Sequence, residues 1–248
     1  MKKLFNMNSN KEKLKIICVI PARGGSKGLK NKNLRKVCDK PLIYYPIADA
    51  LKINLFDHIF VSTDSENIAK TSIKYGASVP FLRPKKFAKD LSSTEDTLKY
   101  ALLSFERYVG YKFDICVYLT ANRIFRKAKW INIAINNLIN DDKIDTSFPV
   151  QKIYSNFWHE KNGRYRVVLP WMKNYTSRQV APNFYREDTG LVCATRAKFW
   201  RKGKRIGKNV KFVIHDYNFS EIDIHSKEDL YIANMAMKYL IINNKKLF

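Results

Sequence analysis

The run at residues 15–20, Lys-Ile-Ile-Cys-Val-Ile, is apolar without alternation and stops at Pro21 and Gly24-Gly25, as a strand buried on both faces does when it ends in a loop. Similar strand-forming runs stand at residues 58–62, 114–119, 145–150 and 210–214. Between them, helical spacing of apolar positions predicts helices over 42–51, 65–75, 93–108, 130–140 and 227–241, the last of them amphipathic. Gly76 suits the end of the second helix, while Ser92 and Ser93 ahead of Glu95 and Asp96 supply a cap and an acidic first turn for the third. Strands alternating with helices predict an α/β fold: a single doubly wound, mostly parallel sheet, with ligands bound beyond the carboxyl ends of its strands.

The rhythm breaks over residues 151–172, where aromatics surround Lys161-Asn162-Gly163-Arg164, a hairpin turn signal. This segment reads as a flap or dimerisation insertion in one domain spanning 15–241. Residues 1–14 form a Lys/Asn-rich leader expected to be disordered. Asp64 is equally suited to capping the helix that follows it and to touching a ligand, and Asp229 suits the first turn of the last helix. Phe157, Trp158 and Trp171 read as core or interface aromatics, and the sequence suggests no partner for His58, His159 or His215.

Composition narrows the class. With 248 residues, 46% hydrophobic and 13% aromatic, the chain can bury a full core. No apolar run approaches the roughly 20 residues of a membrane span, and the leader lacks a signal-peptide stretch, so a cytoplasmic protein is expected. Cys18, Cys38, Cys116 and Cys193 lack metal spacing; Cys18 and Cys116 read as small buried hydrophobes. A net charge of +24 would attract polyanions, yet the lysines are scattered among Ile and Asn with no block of five. No nucleic-acid partner is expected.

The chemistry concentrates in residues 20–33, Ile-Pro-Ala-Arg-Gly-Gly-Ser-Lys-Gly-Leu-Lys-Asn-Lys-Asn, directly after the first strand. Gly24, Gly25 and Gly28 let backbone N–H groups approach a ligand, and Arg23, Lys27 and Lys32 supply the charge a triphosphate demands. Neither the Walker pattern nor a dinucleotide fingerprint is present.

This segment resembles the opening motif of the acylneuraminate (CMP-sialic acid) cytidylyltransferase family, I-P-A-R-G-G-S-K-G-x-x-x-K-N. The resemblance continues through Val61-Ser62-Thr63-Asp64-Ser65, Pro80-Phe81-Leu82-Arg83-Pro84, Ser177-Arg178-Gln179, Tyr185-Arg186 and Ile222-Asp223-Ile224-His225, and so covers nearly the whole chain. It implies a nucleotide-diphospho-sugar transferase-like fold and transfer of CMP from CTP to a sialic-acid-like 2-keto sugar acid, with release of pyrophosphate. By that resemblance Arg23, Ser26, Lys27, Lys32 and Asn33 hold the triphosphate, Arg83 and Thr94 help form the cytidine pocket, and Asp223 binds magnesium. Arg23, Lys32 and Asp223 carry the catalytic load, because in-line attack on the α-phosphorus needs spreading negative charge neutralised. Thr120, Asn122, Arg123, Arg178, Gln179 and Arg186 fall on the acceptor side, with the Arg186 fork suited to a planar carboxylate. The family's dimers, which exchange a small insertion, imply a homodimer through residues 151–172.

Two segments depart from the pattern. Where the family reads L-Q-P-T-S-P-L-R, this chain reads Leu119-Thr-Ala-Asn-Arg-Ile-Phe-Arg126, so the glutamine that faces the acceptor becomes Thr120. His225 stands in place of a second metal-binding aspartate; imidazole suits magnesium poorly, which leaves Asp223 to act with water, triphosphate oxygens or Glu221, and predicts tolerance of manganese. The loop Glu187-Asp-Thr-Gly190 adds carboxylates. These departures leave open a different acceptor (a shorter keto-sugar acid, a sugar phosphate or a phosphonate) or a nucleotide-binding protein with impaired catalysis.

Overall fold

In a computed structural model the described residues are 13–26, 28–87, 93–173, 179 and 182–243. Strand β1 (Ile16–Pro21) leads through a two-stranded ribbon, β2 (Lys36–Val37) and β3 (Lys40–Pro41), into helix α1 (Tyr44–Leu51). Then follow β4 (His58–Ser62), α2 (Glu66–Lys74), α3 (Thr94–Val109), β5 (Ile115–Tyr118), α4 (Ala128–Asn140) and β6 (Thr146–Ile153). A hairpin of β7 (Trp158–Lys161) and β8 (Arg164–Val167) precedes β9 (Phe184–Glu187), β10 (Cys193–Arg196), α5 (Ala197–Arg201), β11 (Val210–His215) and α6 (Lys227–Ile242). The central sheet runs β11-β6-β10-β5-β1-β4, with β9 added beside β6. β1 is parallel to β4 and β5, and β11 to β6, but β10 runs antiparallel between β5 and β6, and β9 antiparallel to β6.

The unbroken apolar run of β1 follows from burial on both faces. Ile16, Cys18 and Ile20 point into a core built with α1, α4 and α6, while Ile17 and Val19 point into a second core built with α3 and α5. Each such aliphatic side chain contributes about 1.5–3 kcal/mol when fully buried. Helix ends are set by local chemistry: Ser93 caps α3 by accepting from Asp96 N at 3.0 Å, and Gly110 closes it in the left-handed region at φ 80°. Ser226 and Asp229 form a reciprocal capping box on α6. Cys18, Cys116 and Cys193 are buried free thiols.

Several expectations need correction. Leu14, assigned to the leader, packs on the larger core, whereas residues 1–12 lie outside the described residues. Helix α6 is not amphipathic: Ala233, Met237 and Leu240 are buried, yet Tyr231, Ile232, Met235 and Ile242 on its other sides are exposed. Strands β9 and β10 escaped the sequence reading because short segments of mixed polarity such as Cys-Ala-Thr-Arg carry little period. The hairpin forms where expected, with Asn162 and Gly163 at φ 54° and 73° in a primed turn, but it projects as a separate ribbon, and Phe157 and Trp158 are exposed on it. His58 and His215 do have partners, Tyr111 Oη at 2.7 Å and Asp188 Oδ2 at 3.2 Å.

Candidate active site

The carboxyl ends of β1, β4 and β5 open at one edge of the sheet, and three loops converge there with the segment before α6. A cavity of about 310 Å³ lies between them, lined by Arg23, Ser26, Lys32 and Asn33 from the first loop, Thr120 and Asn122 from the loop after β5, and His225.

The first loop is held by backbone and short side chains. Ala22 N donates to Ser62 O at 2.9 Å, and Gly24 N donates to Asp64 Oδ1 at 2.8 Å. Asp64 therefore ties the loop to β4; Ser65, its neighbour, is the residue that caps α2. Asn33 is buried and donates its amide to Arg23 O at 2.9 Å, so it stiffens the loop from within. A Cβ on Gly28 would come within 2.6 Å of the His225 carbonyl oxygen, so glycine is required there by the close approach of the segment before α6. Burial lowers the Lys32 ammonium below its ordinary value while the facing Asp223 carboxylate pulls it back up. A desolvated ammonium aimed into the cavity suits an anionic ligand. Lys27 lies outside the described residues.

Arg83 is not a surface residue. It is 5% exposed, its N–H donates to Thr63 O at 2.7 Å, and its Nε has no hydrogen-bond partner among the described residues. Burial pushes its guanidinium down, and the Asp64 carboxylate opposes that shift. Arg83 thus sits behind the glycine loop. Thr94 opens α3 and is half-buried.

The residues expected on the acceptor side are bound to one another. Thr120 Oγ1 donates to Gly190 O at 2.8 Å, and Asn122 donates to Asp223 Oδ1 at 2.5 Å. His225 Nε2 lies 2.9 Å from the same Asp223 oxygen, and Arg123 Nη1 lies 3.4 Å from Oδ2. Arg123 Nη2 reaches Asp188 at 2.5 Å. The Arg186 fork, expected to face the acceptor, is taken bidentately by Asp188 at 3.1 and 3.1 Å, and its Nη1 meets Glu221 at 3.0 Å. Glu221 therefore pairs with Arg186 instead of standing beside Asp223. Burial works to raise the Asp188 carboxyl, but hydrogen bonds from His215 and Arg186 and the Arg123 charge outweigh it and leave it below its ordinary value. Arg178 lies outside the described residues, and Gln179 is exposed.

Sequence reasoning missed the buried support beneath these groups. Arg126 is fully buried and donates to Thr120 O and Arg123 O, with Asp49 from α1 as its counter-ion at 3.7 Å. Both Asp49 oxygens lack hydrogen bonds among the described residues, and burial pushes its carboxyl up to about 7 despite Arg126. A charged residue inside the apolar α1 segment was the available signal for Asp49. For Asp188 the signal was the carboxylate-bearing loop 187–190, which did not show that Asp188 is buried or which residues it pairs with.

Among the described residues no three His, Cys, Asp or Glu side chains converge as a metal centre. Asp223 offers one carboxylate, 35% exposed, bonded to the cavity-lining Asn122 and His225 and near enough to Lys32 to stabilise its charge. That donor set fits a hard divalent ion carried in by phosphate oxygens and touched by one carboxylate, and does not fit an all-protein cage. No helix among the described residues is long and apolar enough to cross a membrane.

A cytidylyltransferase family model matches residues 17–247. The chain is 34% identical to post-translational flagellin modification protein B of Campylobacter coli, over 90% of this chain and 95% of that one. It is 34% identical to the CMP-N,N'-diacetyllegionaminic acid synthase of Campylobacter jejuni (90% and 94% covered) and 30% identical to a pseudaminic acid cytidylyltransferase of the same species (95% and 100%). Its fold is similar to that of a CMP:2-keto-3-deoxy-manno-octonic acid synthetase complexed with CTP, at TM-score 0.66 and 15% identity over 91% of this chain and 99% of that one.

Proposed function

Because this chain belongs to the cytidylyltransferase family, we propose that it transfers CMP from CTP to a sialic-acid-like nine-carbon 2-keto sugar acid with release of pyrophosphate. The observation that carries this reading is the cavity in which the cationic loop after β1 faces the Thr120–Asn122 segment across the sheet edge. In the reaction an acceptor hydroxyl oxygen bonds to the α-phosphorus, the bond from that phosphorus to the bridging oxygen breaks, and pyrophosphate leaves. Gly24, Gly25, Ser26 and Lys27 cradle the triphosphate, and Arg23 and Lys32 neutralise the charge that spreads over its oxygens. Arg83 and Thr94 bound the cytidine side. Asn122, Arg123, Arg178, Gln179 and Arg186 orient the acceptor, which Thr120 allows to differ from an acceptor read by glutamine.

Asp223 would hold magnesium, or manganese in its place, which when bound would supply positive charge to the triphosphate; His225 steadies Asp223 by its 2.9 Å contact. The exposed aromatics of the β7–β8 hairpin support a homodimer.

The test is pyrophosphate release with each of the four triphosphates, in magnesium and in manganese, against sialic, legionaminic and pseudaminic acids, shorter keto-sugar acids, a sugar phosphate and a phosphonate. Release with CTP and one nine-carbon acid is expected. Release only with another acceptor class would move the reading to the related transferase that the Thr120–Arg123 segment favours, and CTP binding without turnover would indicate a nucleotide-binding protein.

A further inference from the structure

We propose that Asp188 is a positioning residue for the acceptor, a single buried carboxylate that sets the direction of two guanidinium groups, Arg123 and Arg186; this rests on the acceptor reading above. The Asp188 side chain is 1% exposed. Its Oδ1 accepts from Arg123 Nη2 at 2.5 Å and Arg186 Nε at 3.1 Å; its Oδ2 accepts from Arg186 Nη2 at 3.1 Å and lies 3.2 Å from His215 Nε2. A carboxylate has about four lone-pair directions, and every one is filled. Asp188 therefore has no capacity left for a ligand, and whatever it does, it does through its partners.

Those partners stand on a rigid frame. Asp188 N donates to Pro149 O at 3.0 Å, on β6, and the His215 ring stacks on Trp130 with centroids 4.4 Å apart. The arginines, unlike Asp188, keep an outward face. Arg186 is 31% exposed, and its Nη1 is met by Glu221, itself 54% exposed and free to yield that position. Arg123 is 14% exposed and reaches from Asp188 to Asp223 at 3.4 Å, so it joins the acceptor side to the carboxylate that faces Lys32. Two guanidiniums side by side repel; the anion between them lets both stay, with planar forks suited to the carboxylate and neighbouring hydroxyls of a sugar acid.

The experiment compares wild type with Asp188→Asn, Arg123→Ser and the double variant, measuring the acceptor KM, kcat, and CTP affinity by calorimetry. Asp188→Asn keeps the volume and one accepting oxygen but removes the charge. We expect its acceptor KM to rise about tenfold or more while the CTP Kd stays within about twofold, and the double variant to lose less than the product of the two single losses, because both changes break the shared Arg123–Asp188 bond. Should Asp188→Asn melt below assay temperature, Arg123→Gln leaves the buried site filled and carries the same expected split. An unchanged acceptor KM, an equal loss of CTP affinity, or additive effects in the double variant would overturn the assignment. Wild-type silence across all acceptors would instead remove the functional reading, so the two failures are distinguishable.

Discussion

The two sides of the cavity are built by different means. The loop after β1 is fixed by contacts among backbone groups and short side chains, Gly24 to Asp64, Asn33 to Arg23, Gly28 against the His225 carbonyl, and it leaves Lys32 aimed at the ligand space. The opposite side is a chain of charged side chains that already neutralise each other, His225–Asp223–Arg123–Asp188–Arg186–Glu221, drawn from three segments of sequence. A site for an invariant polyanion can be fixed by backbone, whereas a site that chooses among sugar acids can be retuned by exchanging side chains. The difference locates generality on one side and specificity on the other.

The largest expected effect tests that division at its cationic end. Lys32→Ala should lower turnover by about 10²–10³-fold and raise the CTP Kd, with the thermal midpoint nearly unchanged; loss of acceptor binding alone would break the comparison. Next, Gly28→Ala places a methyl group 2.6 Å from the His225 carbonyl and should cost about 1–3 kcal/mol of stability, read by denaturant titration. An unchanged midpoint would mean that the segment before α6 yields freely. Replacing Asp64 by Ala removes the acceptor of the Gly24 N–H at a cost of about 1.5–3 kcal/mol, and its signature is weakened CTP binding with acceptor KM preserved.

A smaller effect comes from beneath the acceptor side. Asp49 has its carboxyl pushed up to about 7 from 3.8 by burial. Between these values the folded chain holds a proton that the unfolded chain has lost, so this group's contribution to stability is fully present below about 3.8 and declines as pH rises through about 7. Asp49→Asn, which cannot ionise, should flatten that decline in melts run from pH 4 to 8. A slope equal to wild type would show that Arg126 holds Asp49 ionised throughout.

The parts of this molecule that were legible in the sequence are those in which neighbours in the chain decide the outcome. β1 buries both faces, α2 and α3 start at the serine caps Ser65 and Ser93, and Gly76, Gly110 and the Asn162-Gly163 turn adopt φ values that few residues tolerate. The glycine loop's composition suggests a phosphate cradle, and the family resemblance, more than its spacing, assigns residues within it. Its individual residues were less legible: Asn33 and Gly28 are fixed by packing partners, 10 residues away in one case and at the start of the last helix in the other.

Composition and pattern by themselves determined a two-faced α/β sheet, a cationic loop at the end of its first strand and a hairpin turn at Asn162-Gly163, since burial on both faces, backbone freedom and charge are properties of short segments. Only the tertiary structure decided that β10 runs antiparallel in the middle of the sheet, that Arg83 is buried and that Asp188 gathers two arginines and a histidine. β10 pairs with β5 across 75–81 residues, Arg83 bonds Thr63 across 20, and Asp188 reaches Arg123 and His215 across 65 and 27; such pairs leave no local period or spacing, because the energy that selects them is realised only when the chain has closed.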